Sequence, residues 1–320
     1  MAGVGLRVRH SARRRWSDAV DRRLREPSFL YKVEETRRVR RIMRDLGTKD
    51  PAFLVDAKDD GQAWARALGF RTPTPIGIVP DIRQVGWGAL PPAFVLKPVR
   101  GTTGAGVSLL RRDGERWREL SSDRLVSADD LVADYDRLAR AGRVSAEVLL
   151  EGLVVDPRDP GMPSADYKVT VFYGDVGFVE AKRRRRIGGR WRTCWRVFDP
   201  QWRPLRNPFN DSWVDESIEP PVHRRELLEM ASLVSLSVPR PYLRVDLLED
   251  SLGPVLGEVT PEPGGVYQTP RSLDRLLGAM WEDAESRLRV RAARAGLLTP
   301  DGVTHGEAAL DVRRAGPVPS

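Results

Sequence analysis

Two stretches of the chain carry residue types that could handle phosphate. In FVLKPVRGTTGAGVSLL, an apolar run delivers Lys97, and Gly101, Gly104 and Gly106 follow it. Lysine supplies a point positive charge, and glycines let the backbone turn and approach a ligand closely. Thr102 and Thr103 add hydroxyls, and successive N–H groups in such a turn can form an anion-binding nest. The order of the parts narrows the chemistry. A P-loop puts its lysine directly after the glycines, where this chain has Val107 and Ser108. A dinucleotide-binding turn opens a helix, whereas VSLLRR reads as a strand. Lysine before, glycines after and a strand on both sides describe a β-hairpin flap over phosphates. A glycine-rich hairpin with an incidental lysine would show the same pattern.

The second stretch is YLRVDLLEDSLGPVLGEVTPEPGG. A hairpin turning at 251–253 puts Asp246 opposite Glu258 and Arg244 opposite Thr260. Directly paired side chains have Cβ atoms about 4.5–5.5 Å apart on one face of a sheet. Leu243, Val245, Leu247, Val255 and Val259 then point to the other face, into a core. Two carboxylates that close repel unless a cation lies between them. Mg2+ suits such a pair, because it takes one or two carboxylates and fills its shell with water and nucleotide phosphate. It would bridge phosphate oxygens and neutralise charge in phosphoryl transfer. Arg244 is placed to stabilise the transferring group. A solvent-facing hairpin with scattered charges explains the alternation but leaves the like-charge pair without a reason.

These residues need strands and helices to hold them. The spacing predicts helices over 34–46, with Val39, Ile42, Met43 and Leu46 as the packed stripe, and over 61–68, 127–141, 224–236 and 273–288. Ser127 is the expected cap of the third of these, with Asp130 at the capping-box position. Strands are expected at 94–97, 107–110 and 148–150. Alternation around Gly174 and Asp175 predicts a hairpin of 166–173 with 176–181, which puts Asp166 opposite Arg183, and the last hairpin pairs 242–248 with 255–260. The stretch 187–222, with its tryptophans and prolines, reads as irregular. Helices mixed with mainly antiparallel strands indicate an α+β fold.

The bulk numbers exclude several classes. With one cysteine, Cys194, there is no intramolecular disulfide and no cysteine-based metal site. His10, His223 and His305 are too scattered for a histidine-rich zinc centre, so any metal should be held by oxygen. No apolar run reaches the ~18–20 residues of a membrane helix. The N-terminal residues lack the apolar core of a signal peptide, so a cytoplasmic protein is expected. A net charge of +8 suggests an anionic partner, with arginines clustered at 13–25 and 182–206. A solvated arginine-rich surface would account for the same charge.

In this order, the segments FVLKPVRGTTGAGV, VLLEGLV, DYKVTVFYGDVGFVEAKRRR, FDPQWRPL, YLRVDLL and GEVTPEPGG resemble the ATP-grasp superfamily. Specifically, they resemble its TupA-like amidoligase branch, named for teichuronopeptide biosynthesis, over roughly residues 94–280. The resemblance implies ATP held between two α+β sub-domains with largely antiparallel sheets. It implies a basic helical region at 1–46, an N-terminal sub-domain at 47–93, a lid with its flap at 94–155, a catalytic sub-domain at 156–290 and a tail at 291–320. Lys97 would bind ATP phosphates under a flap of Arg100, Gly101, Thr102, Thr103, Gly104 and Gly106. Glu151, Gly152 and Leu153 would meet adenine and ribose, and Lys168 would reach the γ-phosphate or the activated carboxylate. Asp246 and Glu258 would hold Mg2+, with Thr260 where the wider superfamily has Asn and Glu262 as a possible substitute. The implied function is an ATP-dependent carboxylate–amine ligase working through an acyl phosphate. Its substrates would be a small-molecule or glycan carboxylate and an amine such as an amino acid, in cell-surface polysaccharide, glycopeptide or natural-product biosynthesis. A kinase on the same scaffold is one alternative. A non-catalytic nucleic-acid-binding protein is another, though the carboxylate pair would repel nucleic-acid phosphate without a metal.

Overall fold

The computed structural model describes residues 26–48, 50, 55–56, 58–101, 104–206, 214–263 and 269–296. Five helices and twelve strands are present among them. Helix α1 (Phe29–Asp45) starts at Ser28, whose hydroxyl accepts the Tyr31 N–H at 3.2 Å, which satisfies one of the helix's orphan donors. It ends before Gly47, whose φ of +70° is the left-handed conformation that closes helices. Helix α2 (Lys58–Ala67) carries Asp59 and Asp60 in its first turn, where the helix dipole favours negative charge. Helix α3 (Ala128–Arg140) has the capping box that the sequence predicts, with Ser127 and Asp130 exchanging hydrogen bonds. Helices α4 (Arg224–Ser237) and α5 (Arg271–Arg294) follow later in the chain.

Strands β1 (Pro75–Val79), β2 (Ala93–Pro98), β3 (Ser108–Asp113), β4 (Arg116–Glu119), β5 (Arg124–Val126) and β6 (Val148–Gly152) form one antiparallel sheet, in the order β1-β6-β2-β3-β4-β5. Strands β7 (Asp166–Phe172), β8 (Asp175–Ile187), β9 (Arg190–Phe198), β10 (Pro204–Leu205), β11 (Leu243–Asp250) and β12 (Gly253–Thr260) form the second, in the order β10-β9-β8-β7-β11-β12. The α+β expectation holds.

Each sheet buries its apolar face in the ordinary way. Phe94, Leu96, Val148 and Leu150 of the first sheet pack on Leu131 and Tyr135 of α3. One face of the second sheet packs on α4 through Leu227, Ala231 and Val234, and on Ala65 of α2. Its other face is covered at one end by Phe29 and Val33 of α1 and by Leu277 and Trp281 of α5. Helix α5 crosses the start of α1 so closely that a Cβ on Gly278 would lie 2.4 Å from the Ser28 nitrogen, so only glycine fits there.

Three expectations change. The apolar stripe of α1 is not its packed face: Val39, Ile42 and Leu46 are half or more exposed, and Phe29 and Val33, nearer the N-terminus, make the contact. The stretch expected to be irregular contains β9, which pairs along its whole length with β8. The expected pairing of Asp166 with Arg183 is off by one. The turn falls at 173–174, not at Gly174 and Asp175, and Gly177 is left over opposite the step from Thr170 to Val171, so Asp166 lies opposite Lys182 and Arg183 is turned to the other face, where it bonds Asp156. The basic stretch within 1–25, the flap hydroxyls of Thr102 and Thr103, and the tail over 297–320 fall outside the described residues.

Candidate active site

The centre of the second sheet carries a row of charge that crosses the strands. Glu180 of β8 pairs with Lys168 of β7, Lys168 with Asp246 of β11, and Asp246 with Glu258 of β12. Neighbours in such a row are one strand apart, about 4.8 Å. The next rung places Thr170, Arg244 and Thr260 side by side. Alternation sends Val169, Val179, Ala181, Val245, Leu247 and Val259 to the opposite face, where all are buried. The core side of the sheet therefore fixes the charged side.

Asp246 is the hub. Its Oδ1 accepts Arg244 Nε at 2.6 Å, and its Oδ2 accepts Arg244 Nη2 at 2.9 Å and the Lys168 ammonium. Lys168 also lies 3.0 Å from Asp166, and Arg244 donates to the Thr260 hydroxyl at 3.0 Å. The expected cation between carboxylates is thus supplied in part by the protein itself. Burial alone would raise the Asp246 pKa, yet Lys168 and Arg244 hold it below the usual carboxylate range. Burial works against the charged forms of Lys168 and Arg244, and the surrounding carboxylates more than reverse it, so both are raised. At the far end of the row, burial pushes the Glu180 carboxyl up to about 7.

Two further acids border this centre. Asp56, just ahead of α2, feels Arg40, Arg244, Asp246 and Glu262, and burial raises its pKa. Glu262 accepts Arg37 Nε at 3.3 Å and also bonds Arg40, so it ties α1 to the segment after β12. The sequence reading missed Asp56 and Glu180. An isolated acid reads as solvent-facing, and only the strand register shows that Glu180 lies in line with Lys168.

No cluster of three or more His, Cys, Asp or Glu side chains suited to a metal is present among the described residues. The available donor set is the facing pair Asp246 and Glu258. Hard oxygens in that number fit a magnesium ion that draws its other ligands from water and nucleotide phosphate. Asp246 could ligate once Lys168 or Arg244 moves to another anion.

The first sheet presents a second charged pair. Lys97 and Glu151 sit on the face of β2 and β6 away from Phe94 and Leu96, 2.8 Å apart and both buried. Gln62 of α2 donates to the other Glu151 oxygen at 2.8 Å. Because α2 packs on the second sheet, this one carboxylate links the two sheets. The Arg100 N–H donates to Ser145 Oγ at 3.0 Å, and Gly101 bridges Val144. Gly104 and Gly106 have φ of +74° and +72°, as the expected flap turn requires. The Gly152 N–H donates to the Thr74 carbonyl at 2.8 Å, and Leu153 follows at the end of β6, partly exposed. His223 bonds Glu249, and Cys194 is buried in the core beneath the row.

The family model for TupA-like ATP-grasp proteins matches residues 38–282. No curated protein matches the sequence. Among solved structures, the chain is similar to D-alanine–D-alanine ligase from Bacillus anthracis complexed with ATP, at 16% identity over 81% of this chain and 76% of that one, TM-score 0.48. It is also similar to the ATP-grasp ligase PsnB, complexed with a phosphomimetic variant of its minimal precursor, Mg and ADP. There the identity is 17% over 77% of this chain and 64% of that one, TM-score 0.43.

Proposed function

The chain belongs to the TupA-like ATP-grasp family and is an ADP-forming enzyme that makes C–N bonds; from that premise we propose the two-step route by which it does so. A substrate carboxylate attacks the γ-phosphate of ATP, giving ADP and an acyl phosphate. An amine then displaces phosphate from the acyl carbon and leaves an amide. The observation that carries this reading is the convergence of Lys168, Arg244 and Glu258 on Asp246.

The chain's own residues would work by exchanging partners. When nucleotide phosphates arrive, Lys168 and Arg244 turn from Asp246 to phosphoryl oxygens, and Asp246 becomes free to join Glu258 as a metal ligand. Every buried charge keeps a counter-charge throughout, which avoids the cost of an uncompensated buried ion. Magnesium bound there would spread the charge of phosphoryl transfer. Thr260 is engaged by Arg244 and adds no third carboxylate, so a single ion suits the site. Lys97, held in place by Glu151, would contact the phosphates beneath the glycine turn. Closure of that turn would keep water from the acyl phosphate.

Lys182, Arg184 and Arg186 lie on the same face of β8 as Glu180 and suit a polyanionic substrate. This agrees with a role in cell-surface polymer or natural-product assembly in the cytoplasm. No helix among the described residues is long and apolar enough to cross a membrane. The test is a coupled ADP-release assay across carboxylate–amine pairs with mass spectrometry of the products. Amine-dependent release of ADP and phosphate with an amide product is expected. A stable phosphorylated product would instead make the protein a kinase.

A further inference from the structure

Amide formation needs one more group than the Asp246 end of the row provides. An alkyl amine is an ammonium ion in neutral solution and has no lone pair with which to attack. Something must take a proton as the C–N bond forms. Lys168 and Arg244 are held in their charged forms by the carboxylates around them. Asp246 is occupied by both of them.

Glu180 is different. It lies in the same row, one strand beyond Lys168 and two beyond Asp246, about 10 Å from the latter at normal strand spacing. Its carboxyl makes no hydrogen bond or ion pair with any described residue. Val179 and Ala181, on either side of it, are locked into the core, so the strand cannot rotate it away. The β9 residues on its face are Val197 and Trp195, which bring no charge. Among the described residues, the charged groups that face it are Lys168 and Asp166 of β7, Arg244 and Asp246 of β11, and Lys182 of its own strand.

We propose that Glu180 receives the ammonium group of the amine substrate and removes its proton, on the far side of the acyl phosphate from the nucleotide. This rests on the acyl-phosphate reading above. An N–H bond breaks as the proton passes to a Glu180 oxygen. The freed lone pair forms the C–N bond to the acyl carbon, the C–O bond to phosphate breaks with its electron pair leaving on phosphate, and a second N–H bond breaks as the nitrogen passes that proton to the departing phosphate oxygen. Glu180 then returns the proton to solvent. The products are the amide, phosphate and one proton. The substrate class follows: a primary amine that arrives as a cation, drawn to the one carboxylate of the row that pairs with no described residue. A carboxyl that burial has moved up to about 7 is well matched to this task, since a general base works best with a pKa near the working pH.

The test separates the two chemical steps. Wild-type protein, Glu180→Gln and Glu180→Asp are given Mg-ATP, a panel of carboxylates and hydroxylamine, which is uncharged at neutral pH and attacks acyl phosphates without a base. The carboxylate that yields a hydroxamate is then paired with each common amino acid. Glu180→Gln should form hydroxamate at the wild-type rate while kcat/KM for the amino acid falls about 10²-fold or more. It should also lose the acidic limb of that parameter's pH profile, and Glu180→Asp should recover part of the activity. Loss of hydroxamate in step with amide would show a structural role and overturn the proposal. So would amide formation by Glu180→Gln within about threefold of wild type, far below the usual contribution of a general base. A wild-type protein that gives no hydroxamate from any carboxylate would instead overturn the acyl-phosphate reading beneath it.

Discussion

Removing Lys168 should expose how tightly the charge row is coupled. Asp246 is 5% exposed and is met by three charged hydrogen bonds, two from Arg244 and one from Lys168. Taking one partner from a fully buried ion pair costs about 3–5 kcal/mol. Arg244 stays behind in Lys168→Met, so part of the compensation survives and the expected loss is nearer ~2–3 kcal/mol. Asp246→Asn removes the charge from the other side, leaving Lys168 with Asp166 at 3.0 Å, and should cost a similar amount. In the double variant neither charge is left stranded, so the two losses should not add. A coupling energy of about 2 kcal/mol is expected from urea unfolding of the four proteins at pH 7. The pair is largely buried, so the coupling should survive added salt. Its pH dependence has a definite sign. Asp246 lies below its ordinary value of 3.8, so its contribution is complete above about pH 4 and fades as acid protonates the folded carboxylate. Additive losses, within about 0.5 kcal/mol, would show that the groups act separately and that the row is not one electrostatic unit.

Glu258→Gln should lower magnesium-dependent ADP release on the order of 10²-fold; unchanged turnover across a magnesium titration would remove Glu258 from the metal site. Gly106→Val puts a branched side chain at a φ of +72° and a Cβ 3.4 Å from both Tyr135 and Val144. It should cost about 1–3 kcal/mol of local strain and raise the KM for ATP, measured by steady-state kinetics, with thermal melting reporting the strain. Glu180→Gln should alter stability with pH in the direction opposite to an Asp246 change. The folded Glu180 carboxyl sits near 7, above its ordinary 4.5, so the wild type loses stability as pH rises between those values. The glutamine variant should match the wild type near pH 4.5 and exceed it by about 1–2 kcal/mol at pH 8, after allowance for solvent screening. Melting curves at the two pH values decide this.

The parts of the site that follow from two-residue alternation were readable in the sequence. YLRVDLL and GEVT alternate, so the facing of Asp246 with Glu258 and of Arg244 with Thr260 could be stated before any coordinates; the expected turn at 251–253 is instead a two-residue tip at 251–252, and the left-over Gly257 restores the same facing. Reading failed where alternation slips. The hairpin of β7 and β8 turns at 173–174, one position earlier than expected, and Gly177 is left over in β8; together they put Asp166 opposite Lys182 in place of Arg183, and a one-residue slip exchanges the two faces of a strand. Strand β9 went unread because neither face of RWRTCWRVF is uniformly apolar, with Arg190, Arg192 and Arg196 sharing a face with Cys194 and Phe198 and Thr193 lying between Trp191 and Trp195, and only its pairing with β8 defines it. The stripe on α1 was periodic yet exposed, since periodicity says which residues share a face and not what meets that face. The pair of Lys97 with Glu151 involves residues more than 50 positions apart, and Gln62 reaches it from a helix on the other sheet. Only the folded chain brings such residues together.

The register shift between β11 and β12 has a consequence for how this hairpin can change over time. The strands pair in one register from Asp250 with Gly253 down to Leu247 with Leu256, and in another from Asp246 with Glu258 onward, with Gly257 left over between them. The surplus residue works as an expansion joint. An insertion or deletion near the tip at 251–252 can be absorbed where the ladder already breaks, by gain, loss or migration of the bulge. The inner rungs would stay where they are. Lineages of this hairpin should therefore vary in length at the tip while Asp246 and Glu258 keep facing each other.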